Sequence, residues 1–182
     1  MVATALLIGV GLSAPANAQP APTGPGPRPG LYTIRPLTHL DQVLTVDPVS
    51  KAAACEGDSN DPDQTIRVRP VRRLYNLLNQ RTVEYLGYYR DGRAGWTRFL
   101  AEWEVIAVDG FGGGVHMIRV PDLDGPPAEV LTYLGGDNSP VTGLRAAATP
   151  GDSAAFAAQL WKFERAIGHG IYSGELETTA GS

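Results

Sequence analysis

Several groups of side chains in this 182-residue chain have types and spacings that could do chemistry. Gly151-Asp152-Ser153 places a serine beside an aspartate, as in many nucleophile turns. A trypsin-like site would continue with two glycines, and the G-x-S-x-G elbow needs glycine where Ala155 stands. A nucleophilic serine also needs a histidine oriented by an acid, and His39, His116 and His169 lie in no recognisable motif. The triplet reads as a polar loop turn, and the chain is not expected to be an enzyme. Asp58, Asn60, Asp61 and Asp63 offer oxygens to a hard cation. A calcium loop needs alternating ligands, a glycine and a distal glutamate, and Pro62 occupies a ligand position, so a solvated acidic loop is expected. Gly110 to Gly114 leads into a strand pattern, so it cannot aim helix N-terminal amides at a phosphate. Three histidines and one cysteine form no evident zinc set. No cofactor or metal is expected.

The remaining groups concern binding. Trp103, Trp161, Phe163, Tyr32 and Tyr75 recur at equivalent strand positions, which favours core packing over sugar stacking. Trp96, Tyr88, Tyr89 and Tyr133 are less constrained and are open to a surface role. Arg67, Arg69, Arg72 and Arg73 cluster, with Arg67 and Arg69 two apart on one strand face. A solvated face is preferred there over a phosphate or polyanion site. The net charge of −4 argues against a nucleic-acid partner, which would call for a basic domain. Cys55, the single cysteine, follows three alanines and reads as a buried, inert thiol.

The elements that position these groups are strands. Ala101 to Val120 is two strand-like runs of alternating apolar and polar residues around a Gly/Asp turn. The same unit recurs in Gln64 to Leu78, with one half opening the chain at Gly30 to Arg35 and the other closing it at Gln159 to Glu164. Opening strands near Tyr32, Tyr75 and His116, and closing strands on Ile66, Trp103 and Trp161, give three units roughly forty residues long. Between them lie Gln42–Val46, Lys51–Cys55, Thr82–Tyr89, a continuous run from Trp96 to Trp103, Glu129–Leu134 and Val141–Ala146. About twelve strands in three four-stranded repeats spell an all-β chain closing as a β-trefoil, with a two-sheet sandwich as competitor. Thr149 to Ala158 is a long small-residue loop, with room for a single helical turn at Ala154 to Ala158.

Residues 1–18 carry an apolar run ending in Ala16-Asn17-Ala18, a secretory signal pattern too short to span a membrane, although the usual basic n-region is missing. Residues 19–29 form a Pro/Gly-rich linker, 30–167 the trefoil domain and 168–182 a loosely held tail. A secreted protein, without membrane span and monomeric, is expected.

The repeats resemble two trefoil families. Gln159-Leu160-Trp161 matches the Gln-x-Trp that closes ricin-B-type lectin repeats, while Gln64-Thr65-Ile66 and Ala101-Glu102-Trp103 match in part. Those lectins carry a sugar-binding aspartate after the leucine of the second strand, where this chain has Thr45 after Leu44 and Thr132 after Leu131. Gly30-Leu31-Tyr32-Thr33-Ile34, and Glu102-Trp103-Glu104-Val105 followed by Gly114-Val115-His116-Met117-Ile118, resemble the fungal β-trefoil serine protease inhibitors related in shape to mycocypins. That resemblance implies a secreted peptidase inhibitor acting through an exposed loop, with an extracellular peptidase as partner. The lectin resemblance implies glycans instead. By chemistry, a trypsin-like target asks for a basic loop residue, and Lys51, Arg90 and Arg93 are the candidates.

Overall fold

The computed structural model describes residues 26–121, 128–135 and 142–166. The signal pattern, most of the linker, the turns at 122–127 and 136–140 and the tail expected at 168–182 lie outside the described residues. Twelve strands run in chain order: β1 (Gly30–Pro36), β2 (Gln42–Val46), β3 (Ala53–Gly57), β4 (Ile66–Val71), β5 (Leu74–Asn79) and β6 (Tyr85–Tyr88), then β7 (Ala94–Thr97), β8 (Glu104–Ala107), β9 (Val115–Arg119), β10 (Glu129–Tyr133), β11 (Thr142–Ala146) and β12 (Leu160–Arg165).

Six of them close a barrel. β1 pairs with β4 and β12, β4 with β5, β8 with β9, and β9 with β12, all antiparallel. The remaining seam, β5 to the start of β8, is made by Tyr75 and Trp103, which exchange both backbone hydrogen bonds at 2.8 and 2.9 Å. The other six strands form three hairpins, β2–β3, β6–β7 and β10–β11. Their edges meet through the bridges Ala52–Gly95 and Arg93–Gly143 and the bond from Thr142 Oγ1 to the Ala53 carbonyl. A six-stranded barrel capped by three hairpins is a β-trefoil, and closure excludes the sandwich.

The repeat is visible in the core. Leu44, Leu86 and Leu131 pair across their hairpins with Cys55, Trp96 and Leu144. Ile66, Trp103 and Trp161 are fully buried beneath them. The Trp103 and Trp161 indoles donate to the Leu86 and Leu131 carbonyls at 2.8 and 2.9 Å, so each large ring also satisfies its one polar group. Ile66 has no such donor, and repeat 1 instead receives the Trp96 indole, which donates to the Thr45 carbonyl at 2.9 Å. Cys55 is buried among these residues and burial pushes its thiol pKa up, in keeping with an inert role.

Some boundaries move. The run expected from Trp96 to Trp103 breaks after Thr97, because residues 98–102 leave the sheet as a loop before Trp103 rejoins it opposite Tyr75. The strand expected at Lys51 starts at Ala53, since Lys51 sits in the β2–β3 turn with φ 60°. The long loop does hold a short helix, α1 (Ser153–Ala157), where Asp152 caps the Ala155 N–H and Phe156 packs on Val115, Met117, Val130 and Leu160. At the other end Gly26–Pro29 lies against the barrel, with Pro27 buried and the Tyr32 hydroxyl donating to the Arg28 carbonyl. Among the described residues no helix is long and apolar enough to cross a membrane.

Candidate functional site

The second repeat carries an open groove of about 430 Å³, lined by Gly87, Tyr88, Tyr89, Thr97, Phe99, Leu100, Ala101 and Glu102. Its back wall is the β6–β7 hairpin. Gly87 opposes Gly95 across that hairpin, and neither position has room for a side chain. A Cβ at Gly87 would stand 2.8 Å from Thr97 Cγ2, and one at Gly95 would stand 2.9 Å from the Lys51 carbonyl. Gly87 therefore leaves the groove floor bare, while Gly95 lets the Lys51–Ala52 backbone approach closely. The hairpin turn is held by the Tyr89 N–H on the Arg93 carbonyl, the Gly92 N–H on the Tyr89 carbonyl and Gly92 at φ 79°. Arg93 pairs with Asp91 at 2.7 Å, and its guanidinium lies over one face of the Tyr89 ring, 5.6 Å from the centroid.

The front wall is the loop between β7 and β8. Thr97 Oγ1 accepts the Phe99 N–H at 3.2 Å, and the Asn76 side chain donates to the Ala101 carbonyl at 2.8 Å. Between these two ties Phe99 is 82% and Leu100 62% exposed. Tyr88 packs edge-on against Trp103 with centroids 5.1 Å apart, so its ring is held by the core while its edge faces the groove. Burial, with the Glu102 carboxylate nearby, raises its phenol pKa, and the hydroxyl is, like any phenol at neutral pH, protonated and able to donate. The groove thus offers aromatic faces at Tyr89 and Phe99, a phenol, the Thr97 hydroxyl and one carboxylate. That set can stack on an apolar ring face and accept and donate bonds to hydroxyls.

The corresponding segments of repeats 1 and 3 are tied down by a glutamine, and the repeat 1 loop carrying Asp58, Asn60 and Asp61 lines a different cavity of about 330 Å³, against Arg35, Thr65 and Glu164. Gln64 Nε2 donates to the Gly57 carbonyl at 2.7 Å and its Oε1 accepts the Ser59 N–H at 2.9 Å. Gln159 makes the same pair with the Ala146 carbonyl and the Ala148 N–H, both at 2.8 Å. Repeat 2 has Ala101 at this position. Thr45 and Thr132, at the places of the lectin aspartate, are buried and bond the Asp63 and Val130 carbonyls. The third such place is Gly87, so the carboxylate is missing from all three repeats and Glu102 supplies one from a different loop.

The basic loop candidates gather around the hairpin cap, since Lys51 lies beside β7 and Arg90 and Arg93 sit in the β6–β7 turn. The Lys51 ammonium lies 3.4 Å from Glu84, and its carbonyl is taken by the Trp96 N–H. Arg93 is paired with Asp91, while Arg90 is exposed and forms no ion pair among the described residues. Of the aromatics left open to a surface role, Tyr88 and Tyr89 line the groove, but Trp96 and Tyr133 are buried, at 2% and 7% exposure. Their hairpin positions face the cap interior, where Tyr133 stacks beside His39. Trp103, Trp161, Phe163 and Tyr32 are core, and Tyr75 is half-buried.

Asp152 is engaged in the α1 cap and Ser153 is exposed. His116 is buried with its Nδ1 on the Gly114 carbonyl at 3.1 Å, and His39 Nδ1 bonds Thr38. Asp58 is joined to Arg35 at 2.5 Å, and no group of metal-ligating side chains forms among the described residues. Phe99, Leu100 and Glu102 lie in a run whose composition reads as one continuous strand, so the sequence does not single them out. The available signal was an alanine in place of the repeat's glutamine, next to two adjacent apolar residues.

No protein-family model matches this chain, and no curated protein matches it. Solved structures do. The Macrolepiota procera ricin B-like lectin in complex with lactose superposes with a TM-score of 0.60 at 18% identity, over 75% of this chain and 95% of that one. A proteinase inhibitor from Coprinopsis cinerea gives 0.58 at 11% identity, over 76% and 99%. The designed threefold-symmetric protein ThreeFoil gives 0.56 at 14%, over 75% and 99%. At these identities the likeness is one of fold, and the fold it shows is the β-trefoil.

Proposed function

We propose that this β-trefoil is a non-catalytic binding protein that takes a carbohydrate in the second-repeat groove. The observation that carries this reading is the convergence of Tyr88, Tyr89, Phe99 and Glu102 on one open concavity. A pyranose has an apolar face of C–H groups and a rim of hydroxyls. Tyr89 and Phe99 supply rings for the face, and Glu102, Thr97 and the Tyr88 hydroxyl supply partners for the rim. Affinity is expected to be modest, because the groove is shallow and open. Lectins among the structural neighbours lend the reading support at the level of fold only.

The test is a glycan array with the full chain, followed by calorimetry on the best ligand. Phe99→Ala and Glu102→Gln are each expected to weaken binding about tenfold or more, as truncation of a central contact does. Absence of binding to any glycan at about 1 mM, the weak end of specific recognition, overturns the reading.

One observation favours peptidase inhibition as the second reading. Phe99 and Leu100 project on a loop tied at both ends, a pre-ordered apolar protrusion that suits a specificity pocket. Titration against chymotrypsin, subtilisin, trypsin and papain separates the two. Stoichiometric inhibition lost in Phe99→Ala points to this loop, and inhibition of trypsin lost in Arg90→Ala points to the hairpin turn.

A further inference from the structure

The end of the barrel opposite the hairpins carries a ribbon of arginines that the groove does not use. Arg67, Arg69, Arg72 and Arg73 are all exposed, and none forms an ion pair among the described residues. Arg67 and Arg69 project from the same face of β4, about 7 Å apart at the ordinary strand rise. Arg72 and Arg73 follow as the two-residue turn into β5, giving a ribbon about 17 Å long. The residues opposite Arg67 and Arg69 are Leu31, Leu78 and Asn76, so the sheet supplies no carboxylate to neutralise them.

Two neighbouring arginines extend the same end. Arg28 is exposed just before β1, and Arg165, at the end of β12, lies over the Tyr32 ring at 5.0 Å. Pro29, Gly30 and Leu31 form one bank of a groove of about 450 Å³, and Arg67, Val68 and Arg69 form the other. Concentrating this charge in a chain of net charge −4 costs self-repulsion that a merely soluble surface does not require.

The turn is also strained. Arg72 has φ 58°, in the left-handed region where glycine or asparagine is favoured at a hairpin's first turn position. The chain keeps an arginine where glycine would be relaxed. Lys51, Asn60 and Val83 take the same backbone region, so this strain accompanies the ribbon, which is set apart by its charge and geometry.

We propose that the β4–β5 arginine ribbon binds a linear anionic polysaccharide bearing sulfate or carboxylate groups. Guanidinium forks pair with such oxyanions through two parallel hydrogen bonds, and a straight row of them matches a linear polymer of repeating charge. Single-stranded nucleic acid fits less well, because the ribbon offers no open aromatic face for bases. Tyr32 is covered by Arg165, and Gly26 lies against the Tyr75 hydroxyl. A bilayer fits less well, because the ribbon is flanked by a concave groove and no large hydrophobic side chain along it is exposed.

The experiment measures binding of the full chain to heparin-type sulfated polysaccharide and to polygalacturonate across a salt series. Single-stranded RNA, poly-glutamate and anionic phosphatidylserine vesicles serve as competitors of equal charge. Binding to one of the two polysaccharides is expected, weakening with salt, and the stronger of the two identifies sulfate or carboxylate. Arg67→Gln with Arg69→Gln should weaken it about tenfold or more and lower the log–log salt slope by roughly two.

Arg72→Gly separates function from structure. It should weaken polysaccharide binding while raising the thermal midpoint by roughly 2–5 °C, because glycine relieves the turn. Phe99→Ala should leave polyanion binding unchanged, so failure of the groove reading and failure of this one are distinguishable. Should the double variant misfold, Arg69→Gln alone, at an exposed position, gives the same reading with a slope change near one. Undiminished affinity in these variants, or tighter binding to RNA, poly-glutamate or vesicles than to either polysaccharide, overturns the proposal.

Discussion

In repeats 1 and 3 a buried glutamine ties the segment entering the closing strand to the end of its hairpin, whereas repeat 2 has Ala101 there and no such tie. The consequence runs through the whole repeat. Gln64 and Gln159 spend both ends of their amides on backbone groups, which pulls the following loops down over the core. Repeat 2 instead crosses from β7 to β8 in six residues, holds Ala101 only through its carbonyl and sends Phe99 and Leu100 outward. Threefold symmetry builds a stable frame, and breaking it in one repeat opens a concavity without disturbing the other two. The least faithful repeat is thus the one that presents the open aromatic groove.

The comparison holds only if the floor of repeat 2 is as well packed as that of repeat 3. Trp103→Ala and Trp161→Ala should each cost about 3–5 kcal/mol in denaturant unfolding, since each removes a fully buried ring and strands a carbonyl. A much smaller cost at Trp103 would mean that the groove lies over a soft core and that its open shape is not fixed by the fold.

The tie itself is the next target. Gln159→Ala and Gln64→Ala should each cost about 1–3 kcal/mol, because a backbone N–H and a carbonyl lose their partners in a buried setting. The reverse change, Ala101→Gln, should alter stability by less than about 1 kcal/mol at this half-buried position, yet reduce glycan binding by crowding the groove wall. Unchanged binding in Ala101→Gln would show that loop length, not the missing glutamine, opens the groove.

Much of the frame was legible in the chain because it rests on alternation. Tyr32, Ile34, Ile66, Val68 and Val105 read as inward residues from period-two pattern alone, and they are buried. The looser recurrence of opening strands near Tyr32, Tyr75 and His116 and of closing strands on Ile66, Trp103 and Trp161 then points to three units and a closed barrel. The groove was not legible, because Trp96 to Trp103 satisfies a strand pattern on composition while the backbone leaves the sheet after Thr97. Trp96 and Tyr133 defeated reading for another reason. Whether a hairpin residue faces solvent or the cap depends on the neighbouring repeat, and that contact spans tens of residues, as in the bond from Trp96 to Thr45. The arginine ribbon was visible as exposed alternation, but the left-handed backbone at Arg72 appears only in the structure.

Infidelity between repeats has a second, weaker instance at the opening strands, where Tyr32 and Tyr75 correspond to His116. His116 is buried, packs edge-on against Phe163 at 4.8 Å and bonds the Gly114 carbonyl. Burial lowers its pKa, the Gly114 carbonyl partly opposes this, and the nearby Lys162 charge lowers it further. The folded protein therefore takes up the proton less readily than the unfolded chain, whose histidine titrates near 6.5. Stability is full above that pH and falls as the pH drops through it toward the folded value, because only the unfolded state gains the proton. The slope from this one group cannot exceed about 1.4 kcal/mol per pH unit, and opposing causes keep it below that. Urea unfolding between pH 8 and pH 5 should show this decline, and His116→Tyr, which restores the residue of the other repeats, should remove that part of it. If His116→Tyr leaves the pH profile unchanged, the acid sensitivity belongs elsewhere, with carboxylates such as Asp58 whose pairing with Arg35 lowers its pKa and is lost only at lower pH.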